Sequence, residues 1–143
     1  MTQTMSPFIV VVVGISGTLI GILIGHFLGR NWDRKKWLLD RRHEEFKELQ
    51  TAVAAAFVTC GDPRYHMREL SIDDLLTMNQ ASWNCLMTIQ NRIYIAKQIK
   101  PLNLDLKWID AFDGLRKAKD PELYGALVRE ILNSIVEAAE KHY

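Results

Sequence analysis

His66 and Glu69 stand three residues apart in the stretch GDPRYHMREL, with Arg64 and Arg68 interleaved. A histidine and a carboxylate at that spacing can share a metal ion, and paired guanidinium groups can hold an anion. Two metal ligands without further partners do not define a metal centre, so Arg64, His66, Arg68 and Glu69 form a polar-site candidate and no more. The other reactive side chains are scattered. His43 precedes Glu44 and Glu45 between Arg42 and Lys47, which reads as a solvated helical face. Cys60 and Cys85 form no CxxC and are expected to be free and buried. Ser71 has no identifiable base. No glycine-rich loop leads into Lys-Ser/Thr, and neither HExxH nor zinc spacing occurs. No catalytic residue, metal or cofactor is therefore expected. An enzyme working through the 64–69 loop is the third of three functional readings.

The element that must position everything else is the run Phe8–Leu28, FIVVVVGISGTLIGILIGHFL, which contains no Asp, Glu, Lys or Arg. At about 1.5 Å per residue such a run is roughly 30 Å of helix, the thickness of the hydrocarbon core of a bilayer. A single segment crosses lipid only as a helix, because every backbone polar group must be satisfied internally. A transmembrane helix is expected over 8–29, after a short external tail at 1–7. Gly17, Gly21, Gly25 and Gly29 recur every four residues, and Gly14 extends the small-residue face. A stripe of this kind lets a second backbone approach closely, so self-association or packing on a partner membrane helix is expected. His26 lies within a turn of the inner end.

Arg30, Arg34, Lys35, Lys36, Arg41 and Arg42 follow the apolar run, against Asp33 and Asp40, while the preceding residues carry no Lys or Arg. Basic residues beside a membrane segment stay in the cytoplasm, so the N-terminus is expected outside and the rest of the chain inside. Trp32 and Trp37 suit the same interface, where an apolar ring and one N–H meet both phases. A cleaved signal peptide would want a basic start and a shorter apolar core. A glycine-striped helix leading into basic residues is similar to small bacterial inner-membrane proteins over residues 8–50. That resemblance implies a location, the bacterial inner membrane, and no activity.

Apolar positions then step by seven through Trp32, Leu39, Phe46, Val53 and Cys60, with Leu49 and Ala56 as companions only in the second half. The pattern predicts a helix to Cys60 whose apolar seam widens away from the membrane. A basic stalk is assigned to 30–45 and a helical domain to 46–143. Gly61-Asp62-Pro63 should end the first helix, with Gly61 as a left-handed cap. Ser71 and Asp74 resemble a capping box that opens a helix to Lys97, with Leu75, Leu86, Ile89 and Ile93 as one buried strip beside Leu76, Trp83 and Tyr94. A third helix is expected over 104–117 on Trp108, Ile109, Phe112 and Leu115. A fourth starts at Asp120-Pro121-Glu122 and runs to His142 on Leu123, Tyr124, Leu127, Ile131, Leu132, Ile135, Val136 and Ala139. No stretch alternates with period two. The expected fold class is all-α: a transmembrane helix continuing into an antiparallel bundle of about four helices.

Residues 61–143 hold 11 basic and 12 acidic side chains, so that part is near neutral, nothing there argues for a nucleic-acid surface, and no nucleic-acid partner is expected. Expected partners are the lipid bilayer, a second copy or a partner membrane helix, and a protein bound by the bundle. The first functional reading is a membrane-tethered interaction or scaffold protein. The second is an effector that perturbs the membrane, with Ser16, Thr18 and His26 as the polar groups available to a pore.

Overall fold

The computed structural model describes residues 7–66 and 69–141, and the side chains of all of these except 7–17, Leu19 and Ala118. The chain is helical, with no strand among the described residues. It comprises α1 (Pro7–Cys60), α2 (Ile72–Gln90), the short α3 (Ala96–Ile99), α4 (Leu104–Ala118) and α5 (Pro121–Glu140), with 3-10 turns at Pro63–Tyr65 and Lys100–Leu102. It divides into two units, Met1–Asp40 and Arg41–Tyr143.

The second unit is a helical bundle whose core is drawn from one stripe on each long helix. α1 contributes Phe46, Leu49, Val53, Ala56 and Cys60; α2 contributes Met78, Cys85 and Ile89. α4 contributes Leu104, Trp108, Ala111, Phe112 and Leu115; α5 contributes Tyr124, Val128, Ile131, Ile135 and Ala138. The three- and four-residue steps are those of helices packed side chain into groove around a common axis. Trp108 is fully buried, and its indole N–H donates to Ser82 Oγ at 3.1 Å and to the Ser82 carbonyl at 3.2 Å. That pairing lets a ring with a polar edge sit in the core without an unsatisfied donor. Tyr124 packs edge-on to Trp108 and against Phe57 of α1, with ring centroids 6.4 and 5.7 Å apart.

Local signals set the starts of α2 and α5. Ser71 Oγ accepts from Asp74 N and Asp74 Oδ2 accepts from Ser71 N, both at 3.1 Å, so the capping box is closed. Asp120 Oδ1 accepts from the N–H groups of Glu122 and Leu123, with Pro121 in the first helical position.

Four expectations are corrected. α2 ends at Gln90 rather than Lys97. Its buried stripe is Met78, Ser82, Cys85 and Ile89; Leu76, Trp83 and Ile93 are exposed, and Leu75 and Leu86 are only partly buried. Ile109, Leu123 and Val136 are likewise exposed on their helices. Gly61 does not cap α1 in the left-handed region, since no described glycine has positive φ. Its role is steric: a Cβ there would meet the Phe57 carbonyl oxygen at 2.8 Å. The left-handed caps are Asn103 (φ 48°) and Lys119 (φ 51°).

Among the described residues no helix is long and apolar enough to cross a membrane. The span expected at 8–29 lies within α1, and the side chains of 8–17 and Leu19 are outside those described. The tail expected at 1–7 (of which Pro7 opens α1), the association residues Gly14 and Gly17, Arg68, and the end of the last helix at His142 also fall wholly or partly outside the described residues.

Candidate functional site

Two regions carry the candidate residues, one in each unit. In the first, Ile20, Ile22, Leu23, Ile24, Phe27 and Leu28 are 54–77% exposed. Gly21, Gly25 and Gly29 lie on the same helix, and a Cβ added at any of them would meet nothing within 4 Å. The glycines thus leave a clear lane along the helix. Trp32 is 74% and Trp37 47% exposed, and Arg30, Arg34, Lys35 and Lys36 are exposed around them. His26 is exposed within the apolar run.

In the second unit the sequence loop 64–69 is partly taken up by structural bonds. Asp62 accepts from the backbone N–H of Arg64 at 2.9 Å and from its guanidinium at 2.7–3.1 Å. The guanidinium holds the Asp62 carboxyl well below the usual carboxylate range, at about 2. Arg64 is therefore a turn-forming residue, paired two positions away across the 3-10 turn. Glu69 is exposed. His66 differs from both. It lines a cavity of about 160 Å³ between this loop, α2 and α4, and its Nε2 is buried without a hydrogen-bond partner among the described residues. Leu70, Leu75, Met78, Phe112 and Leu115 supply the apolar wall, and Arg116 and Lys119 stand at the same cavity. Among its described residues the sequence loop thus contributes Tyr65 and His66 to a concave site, and the end of α4 contributes the basic residues that sequence spacing could not associate with it. Among the described residues no group of three or more His, Cys, Asp and Glu could hold a metal ion.

Two further arrangements belong to the fold. The Glu45 carboxylate accepts three backbone N–H groups, from Ile93 at 3.1 Å, Tyr94 at 2.8 Å and Ile95 at 3.0 Å. One turn along α1, Glu48 pairs with Arg92 at 2.6 Å. Glu45 reads in sequence as one of two acids on a solvated face; in the structure it holds the turn after α2 and explains why that helix stops. Its carboxylate replaces, for three consecutive N–H groups, the bonds that a longer α2 would have supplied.

Deep in the core, Cys60 and Cys85 are buried free thiols. Burial pushes Cys60 up to about 11 and Cys85 up to about 12. The Tyr124 hydroxyl beside Cys60 is raised too, by desolvation first, and has no conventional hydrogen-bond partner among the described residues. A thiol is a weak hydrogen-bonding group, which accounts for a phenol placed there being nearly unsatisfied. Thiols of this kind are poor nucleophiles, because the thiolate is the reactive form.

An open groove of about 410 Å³ lies between α2 and α4, with the exposed Leu76, Trp83 and Ile109 along it. No protein family, curated protein or solved structure matches the chain.

Proposed function

We propose that this chain is a single-pass membrane-anchored scaffold: residues 8–29 span the bilayer, the N-terminus lies outside, and the helical bundle is presented at the cytoplasmic face to a protein partner. The observation that carries the reading is the first unit's surface. Six large apolar side chains between Ile20 and Leu28 are more than half exposed, and no described element of the chain covers them. At roughly 25 cal/mol per Å² of apolar surface, such a run in water is unfavourable, and hydrocarbon or another apolar helix removes the penalty. The charge that follows at Arg30–Lys36, with Trp32 and Trp37, matches a headgroup layer. The open lane at Gly21, Gly25 and Gly29 supports pairing of two such helices in lipid, where close backbone contact takes over from the hydrophobic effect.

The test is oligomeric state in lipid nanodiscs, full chain against Gly21→Ile with Gly25→Ile. A discrete oligomer in the wild type that becomes monomeric in the variant supports the scaffold reading. A chain that stays in the aqueous phase when mixed with lipid overturns the anchor, and a monomer in both proteins overturns self-association. A channel-like leak of dye from vesicles bearing the wild type would replace the scaffold by a membrane-perturbing effector.

A further inference from the structure

We infer that the cavity lined by His66, Phe112, Leu115, Arg116 and Lys119 is a binding site for a small organic anion, a monocarboxylate with an apolar body about the size of benzoate. Size comes first. The cavity holds about 160 Å³, and an apolar cavity of about 150 Å³ is known to admit benzene. The wall chemistry comes second. Leu70, Leu75, Met78, Phe112 and Leu115 offer an apolar lining that suits a ring or a branched alkyl group and offers nothing to inorganic phosphate or sulfate.

The polar groups decide the head. Arg116 and Lys119, in the last turn of α4 and just beyond it, have no salt-bridge partner among the described residues, and both side chains reach solvent at the cavity. Cations are favoured at a helix C-terminus, which explains their tolerance there. It does not explain His66, whose Nε2 is buried with no hydrogen-bond partner among the described residues. An unpaired buried nitrogen is destabilising until a partner arrives. The nearby carboxylates are engaged elsewhere: Asp62 is bound by Arg64, and Asp74 closes the capping box of α2. A carboxylate from outside the chain would accept from the Nε2–H tautomer of His66 and from the Arg116 and Lys119 side chains, with its apolar body between α2 and α4. Binding involves no covalent step.

The experiment uses the full chain in nanodiscs, labelled with ¹⁵N-histidine and titrated with benzoate; benzyl alcohol and inorganic phosphate serve as the apolar-only and anion-only probes. The His66 signal is assigned through His66→Gln. The expected result is a saturable shift of the His66 signal with benzoate, a benzoate dissociation constant about tenfold weaker in Arg116→Gln with Lys119→Gln, as loss of a charged hydrogen bond implies, and little effect of phosphate. Both substituted side chains are exposed, so the variant should fold like the wild type, and its melting curve without ligand checks this. Benzoate that leaves the His66 signal unmoved to its solubility limit overturns the inference. So does equal benzoate affinity in the double variant, or benzyl alcohol binding as tightly as benzoate. Any of these results leaves the proposal for the membrane helix untouched, because none depends on residues 8–29.

Discussion

α1 carries one heptad series through two settings. Trp32 and Leu39, in the first unit, are 74% and 44% exposed; Phe46, Val53 and Cys60, in the second, are buried to 3% or less. The spacing is the same and the outcome is opposite. What differs is the supply of facing surface from the rest of the chain. Beyond Arg41, the stripes of α2, α4 and α5 close on α1. Before it, no described element of the chain covers the apolar positions. Periodicity specifies which residues share a face; burial requires a second face to meet it.

The largest test of that contrast removes one tryptophan from each unit. Trp108→Ala should lower the stability of the bundle by about 3–5 kcal/mol, since it empties a core site and strands the Ser82 bonds. Trp32→Ala should change the same unfolding free energy by less than about 0.5 kcal/mol. Equal losses, measured by denaturant titration of the full chain, would mean that the exposed series also packs within the chain.

Glu45→Ala should cost about 2–3 kcal/mol, because three N–H groups lose a charged acceptor at once. Hydrogen exchange at Ile93, Tyr94 and Ile95 should speed up in step with the loss. Exchange rates unchanged there would show that water replaces the carboxylate without penalty. Glu44→Ala, one position away, should have little effect, since its partner is the exposed Arg41 at 2.7 Å and surface pairs contribute about 0–1 kcal/mol.

Glycines sharpen the contrast at smaller scale. Gly61→Ala should destabilise the bundle by about 1–2 kcal/mol through its 2.8 Å approach to the Phe57 carbonyl. Gly25→Ala should leave the bundle's melting temperature alone and alter only association in lipid, because a Cβ there meets nothing within the chain. A drop in melting temperature for Gly25→Ala would break the division between the two units.

The smallest effect is at alkaline pH. Cys60 and Cys85 are held protonated in the fold, at about 11 and about 12 against a usual value of 9.0. Stability from the neutral thiols is complete below pH 9 and is lost as pH rises through the folded values. Neither thiol should react with a disulfide reagent at pH 8 until denaturant is added. Prompt labelling of the folded chain would place at least one thiol at the surface.

Much of the bundle was legible from local chemistry. The capping box at Ser71 and Asp74 and the Asp120-Pro121 start are each decided by residues within a turn of one another, so the chain carries the information where it acts. The candidate cavity was half legible. His66 stood out as a histidine in a polar loop, but Arg116 and Lys119 lie about 50 positions on and read as ordinary basic residues at a helix end.

What the amino-acid sequence determined by itself is the helical class, the starts of α2 and α5, and the contrast between an apolar N-terminal run and a balanced, amphipathic remainder. Tertiary structure alone decided where α2 stops, because the acceptor for Ile93, Tyr94 and Ile95 is a carboxylate 48 to 50 residues earlier. It also decided which of two adjacent stripes on α2 is buried. Leu76 and Trp83 are more apolar than Ser82, yet Ser82 is the one inside, where its Oγ and carbonyl accept from the buried Trp108 indole. A helix's own pattern ranks its faces by apolarity; the neighbouring helices choose among them by shape and by the hydrogen bonds they must complete.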